Sequence, residues 1–293
     1  MQEVTQTSRS GANLDRFAAE LGLAHPADGT IWFSVEDGPQ VVLEPIDDGR
    51  ALALHTSLGA APRAGHEEMA ALADLLASNA PDVGHGTVAA IDPVSEDLML
   101  FKRLHRPADL PYEEFSLQLF NFAEAARRRR DGFAPIASPQ EDDANEVHEE
   151  AFRQLWSEYV FARGLSNAGG EPQAHDPYLI TPDEGGYLFV ELDPATGSVL
   201  LKAVLAFLPL DELDDDPMLR QLLEAHLLGE ATGGASFAID EVAGELIACK
   251  HLHLAELSAH ELGEEIDDLA MTAARFARML AITLPGTPTD FRN

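Results

Sequence analysis

The chain has 293 residues, 45% of them hydrophobic, and 51 acidic residues against 19 basic ones leave a formal net charge of -32. That length suits two domains, the charge repels nucleic-acid phosphates and anionic membranes, and the hydrophobic fraction excludes a disordered polyanion. The single cysteine, Cys249, excludes an intramolecular disulfide framework and any cysteine-based zinc site. The opening residues, MQEVTQTSRSGANLDR, lack a basic start followed by an apolar run. No apolar stretch approaches the roughly 20 residues that span a bilayer, so a cytoplasmic location is expected.

In chain order, Asn13 is placed to cap a helix over 14–21, with Leu14, Phe17, Ala18 and Leu21 on one face and Gly22 at its end. Three short strands follow, Ile31 to Val35, Gln40 to Glu44 and Arg50 to His55, separated by turn residues around Gly38 and Gly49 and read as an antiparallel meander. A second helix, Glu67 to Ser78, turns Leu72, Leu75 and Leu76 inward. Two strands, Thr87 to Ile91 and Leu98 to Leu104, and a long helix, Tyr112 to Arg130, complete the first half. The basic run Arg127 to Arg130 closes that helix, where cations favour the negative end of the helix dipole, so it is read as structural and not as a nucleic-acid patch. Residues 135–147, an acidic segment with two prolines and no apolar period, read as a linker between domains 1–134 and 148–293.

The second half repeats the order. A helix from Glu149 to Arg163 turns Phe152, Leu155, Trp156 and Tyr159 inward and stops at Gly164. Strands follow at Tyr178 to Thr181, Tyr187 to Leu192 and Ser198 to Leu208, with Gly185-Gly186 and Thr196-Gly197 between them. A helix from Pro217 to Leu228 carries Leu219, Leu222 and Leu223, then come strands Ser236 to Ile239 and Leu246 to Leu252 and a helix from Ala259 to Ala281. The repeat is also literal. IDPVSEDLMLFKRLH from Ile91 and IDEVAGELIACKHLH from Ile239 align without a gap, matching Ile91 with Ile239, Asp92 with Asp240, Leu98 with Leu246, Lys102 with Lys250 and His105 with His253. Upstream, ALADLLASN matches LRQLLEAHL with one residue of slippage. The fold class is therefore α+β: two tandem α-β-β-β-α-β-β-α domains with antiparallel sheets.

The strand blocks LMLFKRLH and LIACKHLH, the leucine-rich helices LADLL and LRQLL and the amphipathic first helices together resemble the class I type III secretion chaperones of the Tir chaperone (CesT-type) family. That resemblance implies an ATP-independent chaperone that holds the N-terminal segment of a secreted effector extended and secretion-ready, with the secretion ATPase as a further partner. It also implies that the two copies pack as an intramolecular pseudo-dimer, with Leu72, Leu75 and Leu76 near Leu219, Leu222 and Leu223. An extended partner would add main-chain hydrogen bonds at an edge strand, Ile31 to Val35 or Tyr178 to Thr181, while its side chains enter a groove beside the first helix. Phe17, Trp32, Phe33 and Val35 are the groove candidates of the first copy, and Trp156, Tyr159, Tyr178 and Ile180 those of the second.

No catalytic, cofactor-binding or metal-binding residues are assigned. His251 and His253 share a strand face, but the matching position of His251 in the first copy is Arg103, and no HExxH occurs. Gly84-His85-Gly86 lacks the third glycine of a dinucleotide loop, and the acidic runs Asp211 to Asp216 and Glu264 to Asp268 lack EF-hand spacing. Cys249 aligns with Phe101 and reads as a small buried hydrophobe. Lys102 and Lys250 interrupt apolar strands at matching places, which suits guards of a sheet edge. Two other classes stay open: an acidic inhibitor or immunity-type protein covering a basic partner, and an enzyme with its site between the copies.

Overall fold

The computed structural model describes residues 10–23, 30–34, 38–46, 51–62, 66–79, 87–105, 110–131, 142–165, 177–181, 187–194, 197–207, 218–226, 232–240 and 242–283. The first copy comprises α1 (Ser10–Leu21), β1 (Ile31–Phe33), β2 (Val41–Ile46), β3 (Ala51–Ala60), α2 (His66–Ala77), β4 (Thr87–Ile91), β5 (Asp97–His105) and α3 (Tyr112–Asp131). The second comprises α4 (Asp142–Arg163), β6 (Tyr178–Ile180), β7 (Leu188–Asp193), β8 (Ser198–Phe207), α5 (Met218–Ala225), β9 (Ser236–Asp240), β10 (Glu245–His253) and α6 (Ala259–Thr283). Each copy builds one five-stranded antiparallel sheet, in the orders β1-β2-β3-β5-β4 and β6-β7-β8-β10-β9. The α-β-β-β-α-β-β-α order read twice from periodicity is thus the architecture.

The duplication reaches irregular details. A bulge interrupts the pairing of β3 with β5 at Leu58 and that of β8 with β10 at Leu205, opposite the aligned residues Leu98 and Leu246. Such an extra residue bends a strand and strengthens its twist. Both first helices end on a glycine in the left-handed conformation, Gly22 at φ 64° and Gly164 at φ 63°. The bonds from Gly22 N to Ala19 O and Leu23 N to Ala18 O recur as Gly164 N to Phe161 O and Leu165 N to Val160 O, which is a Schellman closure in each copy.

Three local expectations change. Asn13 lies inside α1, and its Nδ2 donates to Leu110 O at 2.9 Å, tying the helix to the start of α3 instead of capping it. α4 starts at Asp142, so the end of the span read as linker is helical, and His148 in its second turn bonds Pro194 O at 2.7 Å in the β7–β8 turn. Lys102 and Lys250 do not guard an edge, because β5 and β10 each have a strand on both sides. Both lysines point toward the helices: Lys102 Nζ donates to Gln118 Oε1 at 2.8 Å, and Lys250 Nζ to Glu265 Oε2 at 2.7 Å. The expectations on Val35, on Gly84-His85-Gly86 and on Asp211 to Asp216 lie outside the described residues.

The core sits on one face of each sheet. Leu14 and Phe17 of α1 and Phe115, Leu119 and Phe122 of α3 cover Ile31, Phe33, Leu43, Leu52, Leu54 and Leu100. Leu262, Ile266 and Leu269 of α6, with Phe152 and Leu155 of α4, do the same over Val199, Leu201 and Ala248. Burying side chains of this size contributes about 1.5–3 kcal/mol each before chain entropy is subtracted. Cys249 is fully buried on the opposite sheet face with Ile247 and Ala238, and burial raises its thiol pKa to about 11, which makes it inert.

Candidate functional site

α2 and α5 join the copies. They pack on each other, and each also packs on the outermost strand of the other copy, α2 on β9 and α5 on β4. Leu72, Leu75 and Leu76 lie in one continuous apolar cluster with Leu219, Leu222 and Leu223, together with Ile91 of β4 and Phe237 and Ile239 of β9. A polar node sits inside it. With the slippage of one residue, Asn79 and His226 are equivalent positions, each just after its helix. Ala89 N donates to Asn79 Oδ1 at 2.6 Å, and Asn79 Nδ2 donates to Ala89 O at 3.0 Å and across the junction to Phe237 O at 3.4 Å. In the other direction Phe237 N donates to His226 Nε2 at 2.5 Å, and His226 Nδ1 reaches Ala89 O at 3.0 Å. This pattern fits a neutral ring protonated on Nδ1, and burial holds the pKa of His226 down to about 4.

The node has a structural consequence. β4 and β9 are terminal strands in their sheets, so their open main-chain groups require partners once buried. Asn79 and His226 supply them at Ala89 and Phe237, in place of a strand from the other sheet. Arg220 Nη2 adds a bond to Pro62 O at 2.8 Å, and His253 Nε2 lies 3.3 Å from Glu114 Oε1, both across the junction.

Among the described residues the opposite edges, β1 and β6, each have one neighbouring strand, β2 and β7. The candidate residues around them divide between the two sheet faces. Phe17 is 1% exposed and its ring meets Phe33 edge-on at 5.4 Å, so both belong to the core. Trp32 points the other way and is 52% exposed. These three therefore do not line one groove. In the second copy Trp156 and Tyr178 are half-buried with ring centroids 4.1 Å apart, flanked by Phe152 at 5.6 Å from Tyr178 and by buried Tyr159 at 5.3 Å from Trp156. Ile180 is half-buried beside the same cluster, and burial raises the phenol pKa of Tyr178 above its ordinary value. The exposed residue of β6 is Leu179, the counterpart of Trp32, which aromatic character alone does not single out beside Tyr178. The alternation of side chains along an edge strand was the signal that marks it.

Strand registers extend these two residues into rows across the outward sheet faces. Trp32, Val42, His55, Phe101 and Val88 are successive cross-strand partners in the first copy, and Leu179, Phe189, Lys202, Cys249 and Ser236 in the second. Each row sets one basic side chain, His55 or Lys202, among mostly apolar neighbours, with polar Ser236 ending the second. Lys202 Nζ bonds Asp240 Oδ2 at 3.1 Å, while His55 lies 3.5 Å from Glu44 Oε2, and burial lowers its pKa against the opposing pull of Glu44 and Asp92.

Arg127 and Arg128 pair with Glu124 at 2.7 and 2.9 Å, and buried Arg129 bonds Ser78 Oγ and O, which ties α3 to the end of α2. Among the described residues no group of three or more His, Cys, Asp or Glu is placed to hold a metal, and no helix is long and apolar enough to cross a membrane.

No curated protein matches the chain. Solved structures that resemble it include the HopA1-SchA chaperone-effector complex, at 17% identity over 45% of this chain and 97% of that one, with a TM-score of 0.38. Others are the ExsC-ExsE complex, at 19% identity over 48% and 97% with a TM-score of 0.37, and the heterodimeric ExoU-SpcU complex from the type III secretion system of Pseudomonas aeruginosa, at 22% over 41% and 93% with a TM-score of 0.33. The family model of the Tir chaperone protein (CesT) matches twice, over residues 12–130 and 172–277, once on each copy. The chain therefore belongs to the Tir chaperone protein (CesT) family, as two copies in one polypeptide.

Proposed function

We propose that the protein is an ATP-independent, cytoplasmic type III secretion chaperone that binds the N-terminal segment of an effector in extended form. Its two units are residues 1–134 and 148–293, joined by the segment that runs into α4. The observation that carries the reading is the inequality of the sheet edges. β4 and β9 are closed by α5, α2, Asn79 and His226, while among the described residues β1 and β6 have a strand on one side only and present Trp32 and Leu179 beside the other. An added strand would gain main-chain hydrogen bonds there, and its alternate side chains would meet the apolar rows through Val42 and Phe189 or the aromatic cluster of Trp156 and Tyr178. A secretion ATPase is the second partner in this reading, receiving the loaded complex.

The test is co-purification of the full chain with secreted proteins of its own bacterium, followed by limited proteolysis and hydrogen exchange. The expected result is protection of an N-terminal segment of a secreted protein, with slowed exchange at β1 or β6. Recovery of a folded basic enzyme whose activity is blocked would overturn this reading in favour of an acidic inhibitor, which the net charge of -32 also suits.

A further inference from the structure

The junction is built from equivalent elements but from unequal side chains. Aligned through the paired leucines of α2 and α5 and through Ile91 and Ile239, the second copy carries the larger residue at three junction positions: Arg220 for Ala73, His226 for Asn79 and Phe237 for Ala89. Asn79, Ala89, His226 and Phe237 are all buried. The His226 ring stacks on Phe237 with centroids 5.2 Å apart, and Phe276 meets Phe237 edge-on at 4.5 Å. From that aromatic stack the imidazole projects across the junction, where Nδ1 stands 3.0 Å from Ala89 O and 3.4 Å from Asn79 Nδ2. The first copy answers with an amide and a methyl group. Its amide is spent mainly on its own strand, holding Ala89 N at 2.6 Å and Ala89 O at 3.0 Å, and reaches Phe237 O at 3.4 Å. Arg220 also runs one way, donating to Pro62 O at 2.8 Å, while Ala73 stands at the matching place in α2.

Like copies would not fit at this junction. Two second copies would set imidazole against imidazole where His226 Nδ1 already stands 3.4 Å from the shorter Asn79 side chain, with a benzyl group behind each ring, and a packed interior resists added volume. Two first copies would lose both rings and the Arg220 bond and leave a cavity within the leucine cluster, at a cost that grows with its volume. Main-chain hydrogen bonding does not discriminate, because Asn79 and His226 each close their own strand, at Ala89 N and Phe237 N. Volume does. We infer that the α2–β4 face of the first copy is a hetero-selective surface, which accepts the α5–β9 face of a second copy, from the same chain or another, and rejects another first copy. Selectivity of this kind needs a misfit to the wrong mate as well as a fit to the right one. It belongs to the junction alone and stands apart from whatever binds at β1 and β6.

Two measurements test it. In the uncut chain, Asn79→His sets imidazole against imidazole, His226→Asn sets amide against amide, and the double variant exchanges the two residues while conserving their summed volume. Urea unfolding at about pH 8, where a histidine of ordinary pKa is neutral, keeps titration out of the comparison. Each single variant should lower the urea midpoint, and the exchange should recover most of the summed shift. Shifts that simply add in the double variant overturn the inference, because independent sites add and coupled neighbours do not. In the second measurement a protease site is placed in the link between Asp131 and Asp142, and the folded chain is cut, unfolded in urea, refolded by dilution and weighed by native mass spectrometry. Random association gives the statistical mixture of mixed and like pairs; a selective junction should enrich mixed pairs at least about tenfold over it, equivalent to about 1.4 kcal/mol. The same cut in the Asn79→His chain should return the ratio toward the statistical one. A statistical ratio in the parent, or an excess of like pairs, overturns the inference, and the variant cycle in the uncut chain decides the case if the cut halves do not refold.

Discussion

Lys102 and Lys250 occupy one position of two equivalent sheets, yet Lys102 faces the amide of Gln118 and Lys250 the carboxylate of Glu265. Burial lowers the pKa of Lys102 to about 8, with no carboxylate to oppose it. The same contrast recurs in the turn between the last two strands, where Glu96 holds φ at 58° and the aligned Gly244 holds 65°. It recurs again in Leu21 against Arg163. The copies share their buried apolar set and differ in polar partners and exposed faces, as expected when packing constrains the interior of each and different contacts shape the outside.

The sharpest way to break the equivalence is at the junction. Leu76→Ala and Leu223→Ala, at fully buried positions, should each cost about 2–5 kcal/mol. Trp32 and Trp156 are the only tryptophans, one in each copy, so Trp32→Phe and Trp156→Phe backgrounds report the unfolding of the two sheets separately. A shared cluster predicts that both reporters move together; transitions that separate would show two independent cores. Asn79→Leu and His226→Leu come next, at about 1–3 kcal/mol each, because Ala89 and Phe237 lose buried main-chain partners.

His226 also gives the junction a pH dependence. Its folded pKa of about 4 lies below the ordinary 6.5, so the unfolded chain binds the proton first on acidification. The contribution is present above 6.5 and is lost as pH falls toward 4. His226→Asn, which installs the residue of the other copy, should flatten that part of the stability profile, and denaturant titrations at several pH values measure it.

The lysine pair sharpens the comparison further. Lys250→Met should destabilise by about 1–3 kcal/mol by removing the charged bond from Nζ to Glu265, whereas Lys102→Met should be neutral or stabilising. Because the folded pKa of Lys102 is about 8, the cost of its charge is present below that pH and is relieved as pH rises toward 10.5. Any advantage of Lys102→Met should therefore shrink in alkali. Smallest of all, Glu96→Gly should gain less than about 1 kcal/mol by removing a side chain from the left-handed region, which a thermal melt detects.

Periodicity made the sixteen-element order legible because each element carries its own apolar alternation, and the gapless match around Asp92 and Asp240 made the duplication legible. Residues whose role depends on the other copy were not legible. Nothing local marks Asn79 and His226 as partners of strands more than a hundred residues away. Lys102 and Lys250 looked like edge guards because strand order within a sheet is not written in strand sequence. Trp32 and Phe33 are adjacent aromatics, and which of them faces solvent depends on which sheet face α1 covers.

α2 and α5 each pack on a strand of the other copy. The peptide link between Asp131 and Asp142 brings the halves to high effective concentration, but the cluster that holds them is made of side chains on both sides of it. A chain nicked within that link should stay together through gel filtration, and two separately expressed halves should reconstitute a complex. The polypeptide is in that sense a heterodimer whose subunits are covalently tethered, free to specialise because each always meets the same mate.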